Sequence, residues 1–331
     1  MRKVVHRLVI RWAFGMVCLP AVVAGLGCRS AAVPEDHEPP WDVARAEVIR
    51  WQPDDPSFGQ EFALEASGLA VSAHVLYVSS EKYARLLVID LEGEAQTRVR
   101  RLEVPRRSEL EAVAVIADGM LLCDEAHATV YEVTIGDDAR SAADLDPEPL
   151  VARELPLDGV DVEGGKIGFE GIEVDRDGGA VYLLLERSET DVGGCVSQIY
   201  RLRRKGERLT ADRGPLNVAL PDCTWRLTGL AWWGKQMIAL KTQYPGERYE
   251  VVTVDLTTGA AQVVLDVTEV LRALEKEGWS NNVEGIAVTG DGALWLVSDN
   301  AVTGIIDDPL PPPAESRTLL LRIPPTEAPR E

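Results

Sequence analysis

Five polar positions recur at matched places along this 331-residue chain, and three of them are glutamates. They open the segments SGLAV (67–71), EAVAV (111–115), EGIEV (170–174), TGLAW (228–232) and EGIAV (284–288), whose starts lie 44, 59, 58 and 56 residues apart. Each segment sets Ser67, Glu111, Glu170, Thr228 or Glu284 before a small residue and a short apolar run. After a tight link, a second apolar run ends in another polar set: Ser80-Glu81-Lys82, Asp124-Glu125, Glu186-Arg187, Lys241-Thr242 and Asp299-Asn300. If the two runs are antiparallel strands, the start of the first and the end of the second share one edge. Glu111, Glu170, Glu284, Asp124, Glu186, Asp299 and Asn300 are then gathered on one face, with Lys82, Arg187 and Lys241 among them. Carboxylates with an amide oxygen are donors that suit a hard cation, so Glu111, Glu170, Glu284, Asp299 and Asn300 form a candidate Ca²⁺ site. Glu284, Glu170 and Glu111 are also the candidates for catalysis. Three converging glutamates need counter-charge, from a metal, from the basic residues or from retained protons. Lys82, Arg187 and Lys241 are the candidates for gripping an anionic substrate. The plainer alternative is that all these side chains pair across neighbouring units and carry no chemistry.

A repeat of this period points to stacked supersecondary units. Each unit supplies a strand, a hairpin, a longer strand, a loop and a third strand, with room for a fourth. Asp-Gly pairs at 118–119, 177–178 and 291–292 mark the first hairpin of three units, where glycine takes positive φ without steric cost. Four-stranded sheets repeated radially make a β-propeller. The expected fold is therefore all-β, a five-bladed β-propeller over 41–325, with a sixth, degenerate blade in 136–168 as the alternative. The last unit runs out after TLLLRI (318–323), so AEVIRW (46–51) is expected to supply its fourth strand and close the ring. TEVLRALEKE (268–277) reads as a helix capped by Thr268 or Asp266 and stopped by Gly278, and DDPLPPP (307–313) as a loop.

The net charge is −20, and four of the 34 basic residues (Arg2, Lys3, Arg7, Arg11) sit in an N-terminal leader. So acidic a body excludes nucleic acid as the main partner and an anionic lipid surface as the means of membrane attachment. A small anionic substrate or ligand is expected instead, on a monomer. Residues 1–28 read as a signal segment, because the basic start precedes an apolar run (12–27) too short to span a membrane. The run ends in AGLGC, which resembles the bacterial lipoprotein box and implies lipidation at Cys28; plain secretion and an uncleaved anchor stay open. The expected location is periplasmic or on the outer membrane or cell surface, with membrane contact only through the lipid. Residues 29–40 read as a polar, Pro-rich tether and 326–331 as a tail. Export permits disulfides. Cys195 and Cys223 fall in one repeat and are the expected pair; the alternative leaves both free together with Cys123. No GxSxG, HExxH, Walker A or GxGxxG pattern occurs. His127, in CDEAH, either joins the site or is a solvated loop residue. Trp232, Trp233 and Trp295 read as core.

NVEGIAVTGDGALWLVSDNAV (282–302) with RTLLLRI (317–323) resembles the C-terminal signature of the phytase-like family, described by its "esterase-like activity of phytase". SGLAVSAHVLYVSSEK and ELEAVAVIADGMLLCDE resemble looser copies of its repeat. The five-unit count and EGI pattern are also similar to the SdiA-regulated family of exported propellers. Both are distantly similar to the gluconolactonase and paraoxonase propellers, in which a channel Glu with Asn and Asp ligands holds catalytic Ca²⁺. The resemblance spans residues 60–325. Glu284, Asp299 and Asn300 match the motif directly and Glu111 and Glu170 match by repeat, whereas Ser67 and Thr228 depart from Glu. It implies a Ca²⁺-dependent hydrolase of a phosphoester or ester on an exported propeller. The alternative is a non-catalytic envelope propeller that binds a ligand or protein partner on the same face.

Overall fold

The computed structural model describes residues 40–92, 96–135, 149–161, 168–175, 179–190, 193–244, 247–300 and 310–326. The signal segment with Cys28, the tether up to residue 39, the Asp-Gly pair at 177–178, residues 307–309 and the tail beyond 326 lie outside these residues.

The paired apolar runs fold as antiparallel meanders. The first meander comprises Ala66–Ser72, Val75–Ser80, Arg85–Asp90 and Gln96–Glu103. The second comprises Leu110–Ile116, Gly119–Asp124, Thr129–Thr134 and Leu150–Leu155. The third comprises Phe169–Val174, Val181–Glu189, Cys195–Lys205 and Arg208–Ala211, with Leu216–Ala219 paired along the outer end of Cys195–Lys205. The fourth comprises Trp225–Trp233, Gln236–Gln243, Arg248–Val254 and Ala261–Asp266. In the last, Asn282–Val288, Leu294–Asp299 and Leu320–Ile323 are completed by Glu47–Val48, with Glu47 opposite Arg322 and Val48 opposite Leu321. Only two residues of AEVIRW pair in this way.

The second strands are buried along their whole length in three meanders, over Val75–Ser80, Gly119–Asp124 and Leu294–Asp299. Both faces of these sheets are covered, which is why their sequences are continuous apolar runs rather than alternating ones. The core accordingly lies between sheets. Leu87 and Leu76 of the first meander pack with Trp295 and Val297 of the last, Tyr77 with Tyr131 of the second, and Cys123 with Leu183 of the third. Leu184 packs with Leu230 of the fourth, and Ile238 with Leu296 of the last. The first strands meet in turn. A Cβ on Gly68 would lie 2.6 Å from Ala112 Cα, one on Gly229 2.8 Å from the Glu284 carbonyl, and one on Gly285 2.6 Å from the Ser67 carbonyl. Leu110–Ile116 touches Phe169–Val174, which touches Trp225–Trp233. Radially packed meanders of this kind make a β-propeller.

Three local expectations are modified. The helix runs Thr268–Glu275; Asp266 Oδ1 accepts from the Thr268 N–H at 2.9 Å, and Gly278 follows at φ +86°. Of the Asp-Gly pairs, Gly292 takes positive φ (+84°), but Gly119 does not. A Cβ on Gly119 would sit 1.9 Å from the Val133 carbonyl, so glycine serves a close strand approach there rather than a left-handed turn. Within 136–168, the described strand Leu150–Leu155 pairs with Thr129–Thr134 on one side and in parallel with Gln96–Glu103 on the other, joining the first two meanders, and Leu157–Asp158 forms an edge of the third sheet beside Arg208–Ala211. Residues 136–148 and 162–167 lie outside the described set.

Candidate functional site

The five repeated polar residues share one backbone device. In every pairing of a first strand with its second, the register slips at the same point. The slips fall between Ala66 and Leu69, Leu110 and Ala112, Phe169 and Gly171, Leu227 and Gly229, and Val283 and Gly285. Ser67, Glu111, Glu170, Thr228 and Glu284 are the residues skipped, Ser67 together with Gly68. A bulge of this kind takes a residue out of the ladder and re-aims its side chain. All five are buried. Ser67, Glu170, Thr228 and Glu284 line a cavity of about 10 Å³ among the first strands, room for about one water. The Ser67 and Thr228 hydroxyls are buried there without a hydrogen-bond partner.

Two cations are threaded through the carboxyls around this ring. Arg226 donates to Glu186 Oε1 at 2.6 Å and to Glu284 Oε1 at 3.1 Å, tying three meanders together. Lys82 bridges Glu65 Oε2 at 2.6 Å and Glu81 Oε1 at 2.7 Å. Asn282 donates to Glu284 Oε1 and Asp299 Oδ2, both at 3.2 Å. Burial pushes Glu111 and Glu170 well above the ordinary carboxyl range, and nearby carboxylates add to the effect. Asp299 is pushed up in the same way, with Glu284, Glu81 and Glu65 adding to burial. Burial also raises Glu284, against the opposing pull of Arg226 and Asn282. It lifts Glu81 to about 7 despite Lys82, and it lifts Glu125, whose hydrogen bond to Glu111 opposes the shift. The mouth therefore retains protons at a pH where surface carboxyls have lost theirs.

Not every residue expected at the mouth takes part. Glu111, Glu170, Glu284, Asp299 and Lys82 belong to this charged set. Asn300 spends its amide on the backbone: Nδ2 donates to the Phe62 and Ser316 carbonyls at 2.7 and 3.1 Å, and Oδ1 accepts from the Glu65 N–H at 3.3 Å. Asp124, itself buried, accepts from the Glu109 N–H and the Tyr131 hydroxyl and meets His127 Nδ1 at 2.8 Å, so it is spent on holding the exposed turn that follows it. Lys241 pairs with Glu250 at 2.8 Å and lies 4.1 Å over the Trp225 ring. Arg187 donates to the Cys223 carbonyl. Cys195 and Cys223 are joined by a disulfide, and Cys123 is free and buried. Arg226, Glu65 and Asn282 are the participants that repeat reasoning passed over, and Glu81 is one it noted at a strand end without making it a candidate. Their signal is positional. Glu65, Arg226 and Asn282 each stand two residues before a bulged residue, and Glu81 follows the end of a second strand.

The donor set suits a hard cation, being carboxylate oxygens of which Glu65 Oε1 and Asp299 Oδ1 are buried without a partner. Among the described residues, the one trio of Asp, Glu, His or Cys ligand atoms within 4.8 Å of one another is Glu189 with Cys195 and Cys223, whose sulfurs are already bonded. A cation at the mouth would thus rest on few protein oxygens, with water completing its shell.

A family model described as "Phytase-like: Esterase-like activity of phytase" matches residues 32–301. A comparison with curated proteins finds no match. Among solved structures, glutaminyl cyclase from Myxococcus xanthus is similar at 14% identity and TM-score 0.49, over 85% of this chain and 97% of that one. A gluconolactonase from Xanthomonas campestris is similar at 16% identity and TM-score 0.42, over 81% and 88%.

Proposed function

We propose a hydrolytic function on the premise that the chain belongs to the phytase-like family: cleavage of an ester or phosphoester at the mouth of a closed, five-bladed β-propeller. The observation that carries the proposal is the fivefold bulge, which turns one polar side chain per repeat out of its ladder and so brings buried glutamates together. Support for five blades and for closure comes from the five four-stranded meanders and the pairing of Glu47–Val48 with Leu320–Ile323.

Glu81 holds and releases a proton near pH 7, the property needed to activate water at neutral pH. Arg226 and Asn282 fix one oxygen of Glu284, which orients that carboxyl. Glu111 and Glu170 are kept protonated by burial while no cation is bound, and would release those protons on binding one. Glu111, Glu170, Glu284 and Asp299 are the residues from which a pair, completed by water, would hold Ca²⁺, which when bound supplies Lewis-acid polarisation of the ester or phosphoryl oxygen. Lys82 and Arg226 are already engaged by carboxylates, so an anionic phosphoester needs the added cation more than a neutral ester does. At the ring itself the space is that of one water, so substrate is expected to approach from the mouth. Export as a lipoprotein modified at Cys28 belongs to the same proposal and rests on the leader sequence.

The test is turnover of p-nitrophenyl butyrate and p-nitrophenyl phosphate by the purified protein, with Ca²⁺ or with chelator. We expect Glu284→Gln to lower both rates by about tenfold or more, and chelation to abolish phosphoester cleavage first. Rates indifferent to both changes overturn the proposal. Ligand binding at the mouth without turnover points instead to the non-catalytic envelope protein.

A further inference from the structure

The cation that faces Glu284 is presented by a strand whose entry is unusually exposed. Between Leu216–Ala219 and Trp225–Trp233 the chain passes through Pro221, Asp222 and Cys223, all solvent-exposed and outside any strand. Arg226 lies three residues beyond Cys223. The segment is nonetheless tied at several points to the strand end that carries Glu186. Cys223 is bonded to Cys195, which stands opposite Glu189 in the ladder. Arg187 donates to the Cys223 carbonyl. The Ser197 hydroxyl donates to the Glu186 carbonyl and accepts from the Leu227 N–H at 3.1 Å. Arg226 itself closes the set on the Glu186 carboxylate. Of these ties the disulfide is the covalent one, and it sits where water competes most strongly with the hydrogen bonds.

We propose that the Cys195–Cys223 disulfide is a positioning element of the site, holding the third and fourth meanders in the register that delivers Arg226 to Glu186 and Glu284. Its catalytic consequence rests on the hydrolytic reading above; the placement of Arg226 does not. Glu284 is faced by Arg226 and Tyr249 from the fourth meander, Glu170 and Glu186 from the third, Glu111 and Glu125 from the second, Glu81 from the first and Asp299 from its own. Arg226 is the cation that bonds it, at 3.1 Å.

The experiment is nitrogen-15 NMR of the Arg226 side chain in the native protein and in Cys195→Ser/Cys223→Ser, with Arg226→Gln to assign its signals. In the native protein the Arg226 N–H protons bonded to Glu186 and Glu284 should exchange with water about tenfold or more slowly than those of a free guanidinium, and the cysteine variant should lose most of that protection while its backbone signals stay. A folded cysteine variant with native Arg226 protection overturns the proposal. Should that variant fail to fold, the native protein is measured after its disulfide is reduced to two thiols by a water-soluble phosphine, which is itself converted to the phosphine oxide. The reading is the same. Because no substrate is present, loss of the hydrolytic reading leaves this result standing, and retained protection leaves any turnover standing.

Discussion

Arg226 and Glu81 set the chemistry of the mouth at the scale of single residues. A half-buried guanidinium bonded to two carboxylates is costly to remove, because the partners are left without compensation and must take up protons. Glu81 stands at the other pole, bonded to Lys82 yet lifted to about 7 by burial. If Glu81 is the general base, Glu81→Gln should lower kcat/KM by about 10²–10⁴-fold and erase the limb of the pH–rate profile near pH 7. A retained limb in that variant assigns it to another group. The three ring glutamates are legible in the sequence because the repeat marks their position. Arg226 is not, since reading the ends of the second strands brings forward Arg187 and Lys241 instead. Their side chains go elsewhere, one to the Cys223 carbonyl and one onto the Trp225 ring, for reasons of packing that no motif encodes.

The strand bulge is the element that makes these residues a site, and the small residue after each polar one is its structural condition. Gly68 shows why. A methyl group there would come within 2.4 Å of Ser79 Oγ, 2.6 Å of Ala112 Cα and 2.8 Å of Val113 N. Two of those atoms are backbone of the neighbouring meander and cannot swing aside. Gly68→Ala should therefore cost at least about 2 kcal/mol, whereas Ala112→Gly at the equivalent position should cost about 1 kcal/mol or less. Denaturant unfolding of both variants checks the asymmetry, and equal costs would remove the close-approach argument. The polar–small–apolar pattern, the strand pairs and the joining of the chain ends are readable from the repeat. What could not be read is the register slip itself, because a bulge leaves no mark in composition. Nor could the true use of Gly119 be read, since a crowded carbonyl and a tight turn both call for glycine.

The whole molecule stores protons, and its stability should report this. Glu81 and Glu173 are each raised from 4.5 to about 7, mainly by burial. Glu173 stands where the other repeats have Ala70, Ala114, Ala231 and Ala287. Glu111, Glu125, Glu170, Glu284 and Asp299 are raised as well. Across this window the folded state binds more protons than the unfolded one, so stability falls as pH rises. The contribution of Glu81 and Glu173 is fully present below 4.5 and is lost as pH climbs through about 7; each is worth about 1–3 kcal/mol, allowing for partial solvent screening. Glu132, Asp222, Asp255 and Asp291 are lowered and act oppositely, but their stabilisation is lost only as pH falls below the ordinary carboxyl range. The melting temperature in chelator should therefore peak near pH 5 and decline toward pH 8, the reverse of ordinary acid lability. On the proposed reading Ca²⁺ would bind deprotonated carboxylates of the folded state alone, so it should raise the melting temperature strongly at pH 8 and little at pH 5. Glu173→Ala, which removes none of the proposed ligands, should flatten part of the decline without changing the Ca²⁺ response. A melting temperature that rises from pH 5 to 8 in chelator would show that the buried carboxyls ionise without penalty, and the electrostatic account of the mouth would fall with it.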